Sequence, residues 1–195
     1  REDYLRILRA VRFAGRFDLR IDEDTWAALV SLTEHLPTLS AERLREELTK
    51  VLDADVYPSR ALELYRTSGI NRVLYPEIDA LSATQWACAM DVTGELPPGR
   101  PMLRLAALLR PIDPAAAAAV LLRLRLSNAQ TDAVARLAAA PELPPAPAGE
   151  EARRRWLSSF DAAVMRGVAR LDLAAARRGH GSRTAVEVVA SWRAM

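Results

Sequence analysis

Cysteine occurs once in the 195 residues, at Cys88, so no disulfide can form within the chain. A structural zinc site that takes two or more thiolates from this chain is excluded for the same reason. The pattern fits a reducing compartment, and the chain reads as a cytoplasmic protein. Lysine is as scarce: of 27 basic residues only Lys50 is lysine, and alanine is abundant throughout. GC-rich coding produces that bias whatever the function, so the number of arginines says little and their positions say more. A surplus of one charge sign is also missing, because 27 basic residues face 25 acidic ones for a net charge of +2. That balance excludes a histone-like basic coat. Long apolar runs are absent as well. The longest, Ala115 to Leu122, is far short of the roughly 18 to 20 residues that cross a bilayer, and Arg1 opens no signal peptide. No membrane partner is expected. Arg1 falls inside what reads as a helix, so the chain is expected to be a piece of a longer protein.

What is present is a globular mixture, 50% apolar and 27% charged. Such a chain can bury roughly 70% of its unfolded surface, which makes disorder an unsuitable description. The dominant period is helical and no alternating run persists, so an all-α, multi-helix array without a sheet is expected. Helices are predicted over 2–16, over 23–33 with Asp22 as cap, over 41–53 with Ser40 as cap, and from Pro58 to a stop at Gly69. Pro76 closes a short segment from Ile70. Further helices are predicted over 85–92, 102–109, 114–124 and 129–140, the last capped by Ser127. Pro141, Pro144, Pro145 and Pro147 mark a linker over 141–149, followed by tail helices over 150–158, 162–177 and 184–193. The implied organisation is a neck over 1–75, a body over 76–140, the linker, and a tail over 150–195.

The first helix carries the most specific chemistry. With Asp3 set at zero and about 100° per residue, Ile7, Ala10, Ala14 and Phe17 fall within about 40° of it and Arg6 lies about 60° away. Asp3 and Arg6 are therefore expected to extend an apolar face, with Arg9, Arg12 and Arg16 on the other flank. An ion pair placed beside apolar surface points to a cleft lining, because desolvated charge is costly without a partner. A carboxylate acceptor beside a guanidinium fork complements the donor and acceptor edge of cytosine or adenine. Arg9 and Arg12, further along, suit triphosphate oxygens.

Glu2-Asp3-x-x-Arg6 with Arg9-Ala10-x-Arg12-Phe13, followed by Ser40-Ala41-Glu42-Arg43-x-x-Glu46-Glu47-x-x-Lys50, resembles the two neck motifs of the class II tRNA nucleotidyltransferase and bacterial poly(A) polymerase family. The segment from Gly69-Ile70 to Leu74-x-Pro76-Glu77 is similar too, and the resemblance covers about residues 1 to 80. It implies that Asp3, Arg6, Arg9 and Arg12 template incoming CTP or ATP, and that Glu42, Arg43 and Glu46 buttress the neck structurally. In that family a β-sheet head before the neck holds Mg²⁺ on paired aspartates and performs phosphoryl transfer. No head motif occurs in this sequence. Asp53-Ala54-Asp55 has the spacing but sits at a predicted helix end. The chain is thus expected to bind no cofactor and to supply no catalytic or metal residue of its own.

Other candidates are weaker. His35 and His180 are too few for a phosphohydrolase centre. Cys88 reads as core, and Trp26, Trp86, Trp156 and Trp192 as packing rather than stacking platforms. From Glu150 onward nine arginines face five acids, and Arg153, Arg154 and Arg155 are candidate contacts to RNA phosphates. The reading is the RNA- and nucleotide-binding portion of an enzyme that adds CTP- or ATP-derived nucleotides to RNA 3′ ends, with tRNA CCA addition foremost. A stand-alone helical RNA-binding or scaffold module is the alternative.

Overall fold

A computed structural model of the chain describes residues 4–54, 58–141, 151, 154–155 and 158–180. Helix α1 (Leu5–Phe17) ends at Asp18, whose φ of 56° lets the Leu19 amide reach the Ala14 carbonyl at 2.9 Å. Asp22 starts α2 (Glu23–Leu32) by accepting the amides of Asp24 and Thr25 at 3.1 and 3.2 Å. That helix tightens into a 3₁₀ segment, Thr33–Thr38, which the sequence reading left out. Ser40 precedes α3 (Ala41–Leu52) with extended backbone, but its hydroxyl does not cap the helix as expected. It turns instead to the Glu42 carboxylate, which the Glu42 amide and then Ser40 hold below the usual carboxylate range.

Proline and glycine then set the boundaries. Pro58 opens α4 (Pro58–Thr67), Gly69 at φ 81° breaks it, and α5 (Ile70–Leu74) passes at Pro76 into α6 (Pro76–Asp79). Helix α7 (Ala83–Glu95) begins earlier than the predicted residue 85, because Ser82 and Gln85 form a reciprocal capping box. Helices α8 (Pro101–Leu109) and α9 (Pro114–Leu124) both start with proline in the first turn, and a second capping box, Ser127 with Gln130, starts α10 (Asn128–Ala139). Asp161 caps α11 (Ala162–Arg177). No strand occurs among the described residues, and the fold is all-α as expected. Most of the linker (142–149) and the helix predicted over 184–193 lie outside the described residues. Of the predicted 150–158 helix, residues 151, 154, 155 and 158 are helical.

One apolar core runs from Ile7 on α1 to Val134 on α10, passing through Leu48 and Val51 of α3, Tyr65 of α4, and Leu105 and Leu108 of α8. It continues across the residue-75 position through Tyr75 and Ile78, both buried. Helix α11 adds a smaller cluster by setting Leu171 and Ala174 against Val92, Leu96, Leu103 and Ala107. Trp86 belongs to the main core and donates its indole N–H to Glu63 at 2.6 Å, whereas Cys88 is only partly buried. Arg104, 2% exposed, donates to the carbonyls of Leu52 and Ala54 at 2.8 and 2.7 Å and to that of Leu96 at 2.7 Å. One guanidinium thereby satisfies the ends of α3 and α7.

Helices α1 and α4 approach most closely at Gly15. A Cβ there would lie 2.5 Å from the Ala61 Cβ and 2.6 and 2.7 Å from its Cα and N. Gly15→Ala is therefore expected to destabilise the chain by about 1 to 3 kcal/mol despite alanine's better helix propensity. Ala61→Gly in the same background should relieve only part of the loss, since backbone atoms also clash. Urea unfolding measures both, and an unshifted midpoint would mean that the two helices separate freely.

Candidate nucleic-acid interface

The rotation of α1 differs from the one its periodicity suggested. The helix turns Ile7, Leu8, Val11, Arg12, Ala14 and Gly15 inward, and leaves Arg6, Arg9, Phe13, Arg16 and Phe17 exposed. Its core face is thus centred about 100° from the direction of Asp3, where the sequence reading placed it. Two expectations are corrected: Arg6 and Phe17 do not lie on the buried side, and Arg12 does not lie on the outer stripe with Arg9 and Arg16. Leu5, Phe13 and Phe17 place apolar side chains at the margins of the basic side, so the pattern leaves the centre of the buried face open. The contacts with α3 and α4 decide it.

The deciding polar contact joins the two sequence motifs. Arg12, 8% exposed, donates its Nε–H to Glu47 Oε2 at 2.7 Å, and Glu47 is 3% exposed. The other carboxylate oxygen accepts from Lys50 Nζ at 3.1 Å, and the same ammonium donates to Glu46 Oε1 at 2.9 Å. These two hydrogen bonds raise the Lys50 pKa, and the bond from Lys50 is the largest cause holding Glu46 low. The Tyr65 hydroxyl is buried beside this pair, and desolvation, reinforced by Tyr75 and Glu47, pushes its pKa well up. On its outer side the Arg12 guanidinium carbon lies 4.2 Å from the centroid of the Phe13 ring. Arg12 therefore reaches from the core to the base of the exposed face.

The remaining candidates fall in three places. Asp3 and Arg153 lie outside the described residues. Arg6 and Arg9 share the exposed face of α1. Glu42, Arg43 and Glu46 are exposed on α3; Glu42 lies 3.5 Å from Arg125 and Glu46 pairs with Lys50. The residue of the second motif that is buried against α1 is Glu47, which the sequence reading passed over. The spacing signalled it, since Glu47 sits three residues after Leu44 and four before Val51, inside the apolar stripe of α3. In the tail, Arg154 and Arg155 are exposed, and Arg155 donates to Glu151 at 2.9 Å. Asp53 follows the end of α3 as its cap residue, and Asp55 is outside the described residues. Tyr4 stacks on His35 with 4.9 Å between ring centroids, which ties the start of α1 to the 3₁₀ segment.

Residues 18–81 match a family model described as "Probable RNA and SrmB- binding site of polymerase A". The chain is 42% identical over 82 residues to the Multifunctional CCA protein of Neisseria gonorrhoeae (strain NCCP11945), a match covering 41% of this chain and 20% of that protein. It is 39% identical over 84 residues to the protein of the same name from Variovorax paradoxus (strain S110), covering 42% and 20%. The matched part thus spans about a fifth of the length of these curated relatives. Among solved structures it is similar to "The complex structure of CCA-adding enzyme with ATP", with a TM-score of 0.67 and 21% identity over 97% of this chain and 46% of that one. At that identity the likeness establishes a shared helical fold. Together these findings make part of the chain similar in sequence to CCA proteins and a polymerase A RNA-binding model, and most of it similar in fold to a CCA-adding enzyme.

Removing one partner of a buried ion pair typically costs about 3 to 5 kcal/mol, because the other charge is left desolvated. Arg12→Met is expected to lose toward the lower end of that range, since Lys50 still reaches Glu47. Arg12→Met combined with Glu47→Met should recover most of the loss. A double variant as unstable as the single one, by urea unfolding, would show that the pair is not coupled.

Proposed function

We propose that this chain is the RNA- and nucleotide-binding portion of a nucleotidyltransferase that adds CTP- and ATP-derived nucleotides to RNA 3′ ends, with tRNA as the accepting RNA. The observation that carries the reading is the outward basic face of α1, fixed by a buried ion pair whose two members come one from each of the two neck-type motifs. An arginine that is held in place loses less freedom on meeting its ligand than one on a loose segment, so rigidity here favours recognition. In this reading Asp3 accepts from the exocyclic amino group of cytosine or adenine, and the Arg6 fork donates to the adjoining ring acceptors. Arg9, one turn on, meets the phosphates. Arg12 is assigned to positioning α1 instead of to the triphosphate, because it is buried and its Nε–H is bonded to Glu47.

Arg154 and Arg155, with Arg153, are proposed to add phosphate contacts for the RNA body. Mg²⁺, which the family resemblance implies for phosphoryl transfer by the head, finds no site among the described residues, where no three His, Cys, Asp or Glu side chains converge on a common point. The chain is therefore proposed to template without catalysing.

The test is retention of labelled nucleotides by the chain. CTP and ATP should bind in preference to GTP and UTP, and Asp3→Ala or Arg6→Ala should erase that preference with the helical circular dichroism unchanged. A bidentate base contact is worth about 1 to 3 kcal/mol by analogy with duplex readout, so each variant should lose roughly five- to a hundredfold for CTP and ATP. The chain with excess Mg²⁺ should transfer no label to a tRNA that ends short of CCA. Equal retention of all four nucleotides by the unmodified chain, or transfer above a protein-free control, would sink the reading.

A further inference from the structure

The outward face of α1 carries more than a base-reading pair needs. Phe13 and Phe17 are 37% and 57% exposed, and their rings are stacked at 6.0 Å between centroids and 14° from parallel. Each ring has a guanidinium beside it, Arg12 at 4.2 Å from the Phe13 centroid and Arg16 at 5.7 Å from that of Phe17. Leu19, 53% exposed, continues the apolar surface past the helix end. Between Leu5 and Phe17 there are four arginines, Arg6, Arg9, Arg12 and Arg16, and no acidic residue. The first acid after them, Asp18, is paired with Arg60 of α4.

Contiguous exposed aromatic surface marks a place where something binds. Its chemistry here selects the partner. Flat rings flanked by guanidinium groups, on a helix that carries no acid of its own, complement flat apolar faces joined by anions, which is the description of a single nucleic-acid strand. The spacing separates this partner from the templated nucleotide. At about 1.5 Å of rise per residue, Phe13 and Phe17 stand about 10 and 16 Å along α1 from Arg6, some three to five stacked bases at about 3.4 Å each.

We propose that Phe13 and Phe17 form a stacking platform for unpaired bases of the accepting RNA strand near its 3′ end, with Arg16 on its phosphates. The inference rests on the reading that the amino-terminal half of α1 meets the incoming nucleotide, and adds to it where the second substrate lies.

A short single-stranded RNA carrying 2-aminopurine at one of its last three positions tests this with the chain as it stands. Stacking should quench the fluorophore on binding. Phe13→Leu and Phe17→Leu, both at exposed positions, should each weaken RNA affinity about tenfold, and together abolish the quenching while leaving the slope of affinity against salt unchanged. Arg16→Gln should do the reverse, lowering the slope by about one unit and keeping the quenching. Unchanged affinity and quenching in the folded double variant would overturn the platform. So would a change in sedimentation of Phe17→Leu with RNA binding intact, which would make the patch a protein contact. Retention of CTP and ATP, measured on the same variants, should not move. If the unmodified chain shows no nucleotide preference but the RNA still stacks, the base-reading assignment falls and the platform stands.

Discussion

A guanidinium buried against a carboxylate sets the rotation of α1, and the exposed face follows from that rotation. Ile7, Leu8, Ala10, Val11 and Ala14 lie opposite the arginines and give the helix its apolar side, while Leu5, Phe13 and Phe17 stand at the margins and leave the centre of the buried face open. Glu47 fixes that centre. Placed in the apolar stripe of α3, it requires a cation that can reach into the core, and Arg12 supplies one at 2.7 Å. Gly15 agrees with the same orientation, because only a residue without a side chain lets α1 lie this close to Ala61. Such a pair adds little net stability over an apolar substitute, and its contribution is to specify one arrangement among several.

The same physics recurs at the other end of α3. Arg104 is accommodated in the interior by the carbonyls at the ends of α3 and α7, which are unsatisfied by their own helices and carry partial negative charge. Three carbonyls from two helix ends meet one planar, multi-donor head, a geometry that a lysine ammonium would serve less well. Helix α3 is thus fixed to α1 through Glu47 and to α8 through Arg104, and its rotation and its end are both specified by buried arginines. The arginine-rich composition, which carries no function by its number, supplies structure where single positions are buried. The one lysine, Lys50, keeps its head near water and closes the second oxygen of Glu47.

How much of this the sequence discloses depends on where the information lies. Local chemistry was legible: Asp22 as a cap, Pro58 and Pro114 as starts, Gly69 as a stop, and the α11 range of 162–177 all agree with the structure. The Ser82 and Gln85 box was also present in the sequence, and the α7 start was misplaced only because the pair was not weighed. Ser40 has the residue type of a cap and the backbone of one, yet its hydroxyl prefers the nearby Glu42 carboxylate. What was not legible were the partners across the fold. The motif Glu46-Glu47 offers two carboxylates, and only the packing of α1 on α3 distinguishes the buried one from the exposed one. Arg104 reads as one more arginine in an apolar helix until the ends of α3 and α7 are brought to it. The face of α1 failed for a related reason, since Phe17 drew the apolar direction toward a side that no described helix covers.

That failure is itself informative about the interface. A local rule is broken where a sequence keeps residues for a reason other than folding, and large aromatic side chains on an uncovered helix face break it openly. Nothing in the core demands Phe13 or Phe17, for α1 is already secured by Leu8, Val11, Gly15 and the Arg12 pair. Asp18 in the left-handed region and its contact with Arg60 fix the helix end, so the two rings stand on a rigid support instead of a fraying turn. Arg12 connects both roles in one side chain, with Glu47 on its inner edge and the Phe13 ring against its plane. The interior between α1 and α3 therefore determines how the aromatic and basic side chains are presented, and a change at a residue as deep as Glu47 reaches the surface through a single guanidinium.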